Sequence, residues 1–183
     1  MASTERRQMV VTPLAATHPE IGRWLWMIEN GRERTNWFID RIDQGSLDWQ
    51  PAWSQHSIGT LLYHIALIEM DWLHVEVMGS IDGQPYPDGM GDLFPHPVRT
   101  GNQLTRVVGM PLSEHRERLA AVRRKLVDTY STMSLDDFRR ARAVQEGDVT
   151  PEWVLQYLFQ HEAEHRSEIA GLQTQFRLVS DEF

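Results

Sequence analysis

Cysteine is absent from the chain. That excludes disulfides and thiolate metal sites, so any metal ion must be held by His, Asp or Glu. No apolar run approaches the roughly 20 residues a membrane-spanning helix requires, and Met1 to Val11 carries Glu5, Arg6 and Arg7 where a secretory signal needs an apolar core. A cytoplasmic location is expected, and a reducing compartment is compatible with the lack of thiols. Positive charge is in short supply: 18 Lys and Arg stand against 26 Asp and Glu, a formal net charge of -8. This balance argues against binding to a nucleic-acid backbone or an anionic membrane, and leaves small molecules or proteins as expected partners.

What the chain does contain is apolar periodicity. Its 183 residues suit one domain over 1–183, with a core over about 19–176 behind a loose leader over 1–17. Ile21, Trp24, Leu25, Ile28, Thr35, Phe38, Ile39 and Ile42 recur at spacings of three and four. They predict a first helix from Pro19 to near Gly45, with Gly31 a possible kink point. Trp49 and Trp53 fall in an extended loop and could plug the end of a bundle. Ser57 is placed to cap a second helix bearing Ile58, Leu61, Leu62, Ile65, Ile68, Glu69 and Trp72 and ending before Gly79. From Gly79 to Pro111, glycine and proline recur too often for a helix to persist. A connection this long is either a lid or binding loop or poorly ordered, and Tyr86, Asp92, Phe94, His96 and Arg99 are residues a substrate cover could use.

Ser113 and Glu114 open a third helix whose stripe is His115, Leu119, Val122, Leu126, Tyr130 and Met133. Arg116, Arg118, Arg123, Arg124 and Lys125 read as its solvated face. Ser134 to Asp137 resembles a capping box, followed by a polar loop to Gly147 and Asp148. Thr150-Pro151-Glu152 then starts a fourth helix, with Thr as N-cap, Pro at the first position and an acid in the first turn, running to Gln173–Phe176 before an acidic tail. With no alternating strand and no repeat, the expected fold is all-α: an antiparallel four-helix bundle with a long crossover loop between helices 2 and 3. A helical array completed by a partner is the alternative.

On the fourth helix, Val154, Leu158, His161, His165, Ile169 and Leu172 share one face at about 100° per residue. Two imidazoles one turn apart among apolar neighbours find few protein partners, whereas a metal ion in front of the helix satisfies a nitrogen of each. His161-Glu162-Ala163-Glu164-His165 also matches the H-E-x-x-H pattern of zinc peptidases. Such a peptidase needs a third ligand, usually further downstream, and the 18 residues after His165 contain no His. His64, in the middle of the second helix, is the better third ligand, because facing helices of a bundle can bring one His and an i, i+4 pair to a single centre. His115 is a weaker fourth candidate. Asp71 and Glu168 are candidates to orient ligands or move protons, or simply helix-edge carboxylates.

The segment Ser57-Ile58-Gly59-Thr60-Leu61-Leu62-Tyr63-His64-Ile65-Ala66, followed about a hundred residues later by Thr150 to Ile169 with His161 and His165, resembles the DinB-like superfamily of metal-binding four-helix bundles over roughly residues 20–175. The resemblance implies that His64, His161 and His165 ligate a divalent metal ion, zinc or nickel, with water at open positions. It implies homodimers, and activity as a thiol-dependent transferase or isomerase using a low-molecular-weight thiol such as bacillithiol or mycothiol. The insert from Gly79 to Pro111 departs from shorter members. On this basis the chain is expected to be a metal-dependent S-transferase or related isomerase acting on small electrophiles. A non-catalytic binding bundle, with a structural metal or none, is the alternative, and a closed coordination shell would favour it.

Overall fold

Four long helices frame the protein, and three of them begin where the sequence supplies a capping side chain. In the computed structural model, which describes residues 8–144 and 147–180, these are α1 (Pro19–Ile39), α3 (Ile58–Trp72), α4 (Leu112–Ser131) and α6 (Pro151–Ser180). The His18 ring accepts from the Glu20 N–H (3.2 Å), Ser57 Oγ from the Thr60 N–H (3.2 Å) and Thr150 Oγ1 from the Trp153 N–H (3.1 Å). Each satisfies a donor that a helix start otherwise leaves unpaired. Short helices α2 (Gln44–Asp48) and α5 (Leu135–Arg139) fill two of the connections. Among the described residues, no helix is long and apolar enough to cross a membrane.

Side-chain pairs fix the directions. His64 meets His161 and His165, and Glu69 shares its partners with Glu162, so α3 and α6 are antiparallel. Gly59 lies beside His115 and Glu69 beside Arg123, so α3 and α4 are parallel. Arg116 reaches the Ile39 carbonyl and Arg123 that of Ile28, making α1 and α4 antiparallel. The bundle is therefore α1 and α6 one way, α3 and α4 the other. A parallel α3–α4 neighbour pair requires the chain to travel back along the bundle, which is the work of the long crossover.

That crossover is pinned rather than loose. Tyr63 Oη donates to the His96 carbonyl (2.7 Å) and accepts from its N–H (3.0 Å). Arg118, 2% exposed, donates to the Leu93 carbonyl (2.6 Å) and lies over the Tyr63 ring. The expected solvated basic face of α4 is corrected by this contact and by Arg123, which is also buried. The crossover carries a two-stranded hairpin, β1 (Arg99–Thr100) with β2 (Gln103–Leu104), and a second hairpin, β3 (Arg142–Val144) with β4 (Gly147–Val149), precedes α6. Strands of two and three residues are too short to show a period, which is why the sequence did not reveal them.

Other expectations shift in detail. α1 stops at Ile39, and α2 occupies the stretch to Asp48. Gly31 marks no break in α1; an added Cβ there would stand 3.2 Å from the Phe159 ring, so the glycine permits close approach of α6. Trp49 packs edge-on against Phe176, but Trp53 is exposed. Of the expected leader, residues 1–7 lie outside the described residues, while Leu14 and Thr17 are hydrogen-bonded to the start of α1 and the end of α4. Residues 181–183 of the acidic tail and 145–146 of the polar loop also lie outside them.

Among the described residues the two larger apolar clusters divide the bundle interior, one around Leu25, Leu126 and Leu158, the other around Ile65, Val122 and Ile169, and a smaller third gathers Tyr63, Leu67 and Val107. Between the larger two sit four buried charges, one from each long helix: Arg32, Glu69, Arg123 and Glu162. Arg32 donates to Glu162 (2.8 Å) and Glu69 (2.7 Å), and Arg123 donates to Glu69 (2.7 Å) and Glu162 (3.0 Å). Removing one partner leaves uncompensated charge in the core. Glu162→Ala should lower unfolding stability by about 3–5 kcal/mol in urea titrations. Lys125→Ala, which breaks a largely exposed pair with Asp88, should cost under about 1 kcal/mol. Equal effects of the two substitutions would contradict this account.

Candidate metal centre

His64 projects from the middle of α3, and His161 and His165 from successive turns of α6. Antiparallel packing brings the three rings together, with centroids 4.5–5.0 Å apart. Their Nε2 atoms converge: His161 Nε2 is 3.1 Å from His64 Nε2 and 3.1 Å from His165 Nε2. Imidazole nitrogens about 2.0–2.1 Å from a shared zinc ion stand about 2.9–3.4 Å from one another in octahedral or tetrahedral geometry. The observed spacing falls within that range. The donor set fits a borderline cation, since three lone pairs aimed at one point cannot all be satisfied by hydrogen bonds among themselves. The three residues form a group that could hold a metal ion, and among the described residues no further His, Asp or Glu joins it.

The rings are kept neutral by their surroundings. Burial, then the charges of His161 and His165, push His64 down to about 3. Burial followed by the charge of His165 lowers His161 to about 4, and His165 is lowered chiefly by burial. Neutral imidazole is the ligating form. The Nδ1 atoms of His64 and His165 are buried without an aligned hydrogen bond, although the Glu168 carboxylate stands 3.4 Å from His165 Nδ1. Tyr157 stacks on His161.

The imidazoles open onto a cavity of about 340 Å³ roofed by the β1–β2 hairpin, with Arg99 and Gln103 on that roof and His56 on the wall. The β1–β2 hairpin of the long crossover thus borders the site, and Arg99 is the one residue among those anticipated that lies here. Tyr86, Phe94 and His96 line a different cavity, together with Asp71, and Asp92 lines neither. His115 is buried against Gly59 in the α3–α4 interface and does not join the three imidazoles.

Glu162 resolves the H-E-x-x-H ambiguity. It is 3% exposed and turned into the bundle, its Oε1 accepting from Arg32 and Thr35, its Oε2 from Arg32 and Arg123. Burial alone would raise its pKa, but the two guanidiniums and their hydrogen bonds hold it at about 2. A carboxylate so committed cannot serve as the water-activating base of a peptidase. The buried face of α6 is correspondingly rotated toward Leu155 and Glu162, leaving both histidines half-buried at its rim rather than at its centre. His56 and the hairpin were missed at the sequence level. His56 stands in a loop with no periodicity to mark it, and the hairpin reaches the site only through the crossover's path.

Fold and site together define a four-helix bundle with a three-histidine group that could bind a metal ion. The sequence profile of the DinB superfamily matches residues 27–169, an interval that contains all three histidines, and the chain belongs to that superfamily. A search of curated proteins found no match to the chain.

The lowered histidine pKa values carry a signed consequence. An unfolded histidine titrates near 6.5, whereas His64 and His161 titrate at about 3 and about 4 in the folded protein. The unfolded chain therefore takes up these protons first on acidification. The stability at stake is complete above pH 6.5 and is lost progressively as pH falls from 6.5 toward 3. In chelator-treated protein, the urea midpoint should decline across that window, and the decline should be shallower when His64, His161 and His165 are all replaced by Ala. Identical pH profiles for the two proteins would contradict the assignment.

Proposed function

We propose that the protein is a divalent-metal-dependent enzyme that transfers a low-molecular-weight thiol to a small electrophile, or isomerises such an adduct, with His64, His161 and His165 as the metal ligands. The observation that carries the reading is the convergence of three neutral imidazole nitrogens on a cavity with no fourth protein ligand among the described residues. A zinc or nickel ion bound there supplies Lewis acidity, lowering the pKa of a coordinated thiol or water so that it is nucleophilic at neutral pH.

The chain's own groups do the rest. The three imidazoles stay unprotonated at neutral pH and hold one fixed geometry, since α3 and α6 are locked by the ion pairs of Glu69, five residues from His64, and Glu162, next to His161. Glu168 beside Nδ1 of His165 orients that ring. The β1–β2 hairpin limits water at the site. Arg99, exposed at the rim of the cavity with Nη1 held by the Asn102 carbonyl, presents a fixed cation to a carboxylate or phosphonate on the electrophile. The proposal extends to one domain over 1–183, a cytoplasmic location and small-molecule substrates, as length, composition and charge suggest, and to a homodimer, as the resemblance implies.

The test is a thiol-conjugation assay on zinc- and nickel-loaded protein, with bacillithiol, mycothiol and glutathione offered to neutral and anionic haloalkyl or epoxide electrophiles. A metal-dependent rate is expected with at least one thiol, with kcat/KM falling about a hundredfold or more in His64→Ala. Arg99→Ala should raise KM for anionic electrophiles about tenfold while leaving kcat within a few-fold. A loaded protein that exceeds the uncatalysed rate with none of these thiols would overturn the transferase reading.

A further inference from the structure

Beyond His64 toward the C-terminal end of α3 lies a second group of residues that the metal centre does not use. Leu67, Asp71 and His74 face a cavity of about 500 Å³ closed by the first half of the crossover, which contributes Tyr86 and Phe94. His74 lies in a π-helical turn, Leu73–Val77, that continues α3. Such turns insert a residue into the helical register and are frequent at functional sites, since they re-aim a side chain that a regular helix would place elsewhere.

Two observations mark this cavity as a site. His74 is 5% exposed, yet both of its ring nitrogens lack a hydrogen-bond partner. A buried imidazole so placed carries a desolvation cost that a ligand able to bond to it would remove. Asp71 is the second. Its carboxylate is half-buried, its only hydrogen bond among the described residues is a long one from Tyr86 Oη (3.4 Å), and it forms no ion pair there. Burial and then the neighbouring Asp82 carboxylate push its pKa up. Arg142, which shares an adjoining cavity with both carboxylates, bonds to Asp137 instead (3.1 Å). Negative charge is thus concentrated here without a cation bonded to it.

The walls say which cation. The Tyr86 ring meets His74 edge-on at 5.3 Å and Phe94 at 5.6 Å, so one side of the cavity is aromatic. The ligand nitrogens and oxygens of Asp71, His74 and Asp82 are not drawn together as the three imidazoles are, which does not suit a bare metal ion. A carboxylate with an adjacent aromatic wall and a free imidazole suits an ammonium group on a short apolar stem. We propose that this cavity binds a small protonated amine, with Asp71 as its carboxylate partner, His74 accepting an N–H, and Tyr86 with Phe94 covering its stem. The site is separate from the three-histidine cavity, although both lie beneath the same crossover, so its fate does not depend on the thiol chemistry.

Titration calorimetry of the full-length protein as purified, at pH 7, with n-propylammonium and 1,4-diaminobutane as probes and n-propanol and propionate as controls, decides the matter. Saturable binding of the amines and not of the controls is expected. Asp71→Asn, close in shape, should weaken it about tenfold or more, and Asp82→Asn, an exposed position, about threefold. His64→Ala should leave it unchanged, and circular dichroism melts confirm that each variant is folded. The proposal is overturned by an absence of saturable amine binding, or by amine binding that survives Asp71→Asn. It is equally overturned by binding lost in His64→Ala, which would place the amine at the three imidazoles, or by Asp71-dependent binding of magnesium or calcium without amine binding.

Discussion

A neutral set of four charges at the centre of the bundle is the constraint on which the rest depends. Arg32, Glu69, Arg123 and Glu162 come from four different helices, and each arginine bonds to both glutamates. Removing four charges from water is costly, and only complete pairing offsets it, so alternative rotations or registers of any helix strand a buried ion. Arg32 and Arg123 also donate to the Leu119 and Ile28 carbonyls, which ties α1 and α4 to each other through backbone. The apolar clusters on either side tolerate small slips; the ionic layer does not.

The consequence for the site is geometric. Glu162 is adjacent in sequence to His161, and on a helix about 100° separates them. Fixing Glu162 toward the bundle axis therefore fixes the His161–His165 edge toward α3. Glu69 does the same for α3, setting the rotation that turns His64 toward α6. The glutamate of the H-E-x-x-H sequence is thus a positioning residue that acts through helix orientation, held on the opposite side of the helix edge from the proposed ligand point.

Much of the architecture was legible because it rests on periodicity and caps. Ser57 and Thr150 cap the helices they were expected to cap, and the three histidines that the i, i+4 spacing and the bundle logic brought together do converge. What escaped was whatever depends on which side of a polar residue faces inward. Arg118 and Arg123 lie among five basic residues, and nothing local distinguishes the two buried ones from Arg124 on the surface; the distinction is made by partners on other helices. Asp71 looked like a neighbour of His64 along α3, but it stands two turns further along the helix, about 10 Å by the helical rise, and lines the other cavity. The crossover's hairpin was invisible for a related reason, since its role is set by its path between the parallel helices α3 and α4. A helix of about 30 Å must be traversed by that return, and this length of chain becomes cover for both cavities.

The central claim is that three imidazoles hold one divalent ion. Its most direct test is metal content by plasma mass spectrometry of untagged protein, compared with the triple variant His64→Ala, His161→Ala, His165→Ala. Near-stoichiometric zinc or nickel in the wild type, lost from a variant that remains folded, is the predicted result. A wild type that stays metal-free after incubation with zinc, nickel, manganese and iron(II) would contradict the account and return the three histidines to the role of a packed polar cluster.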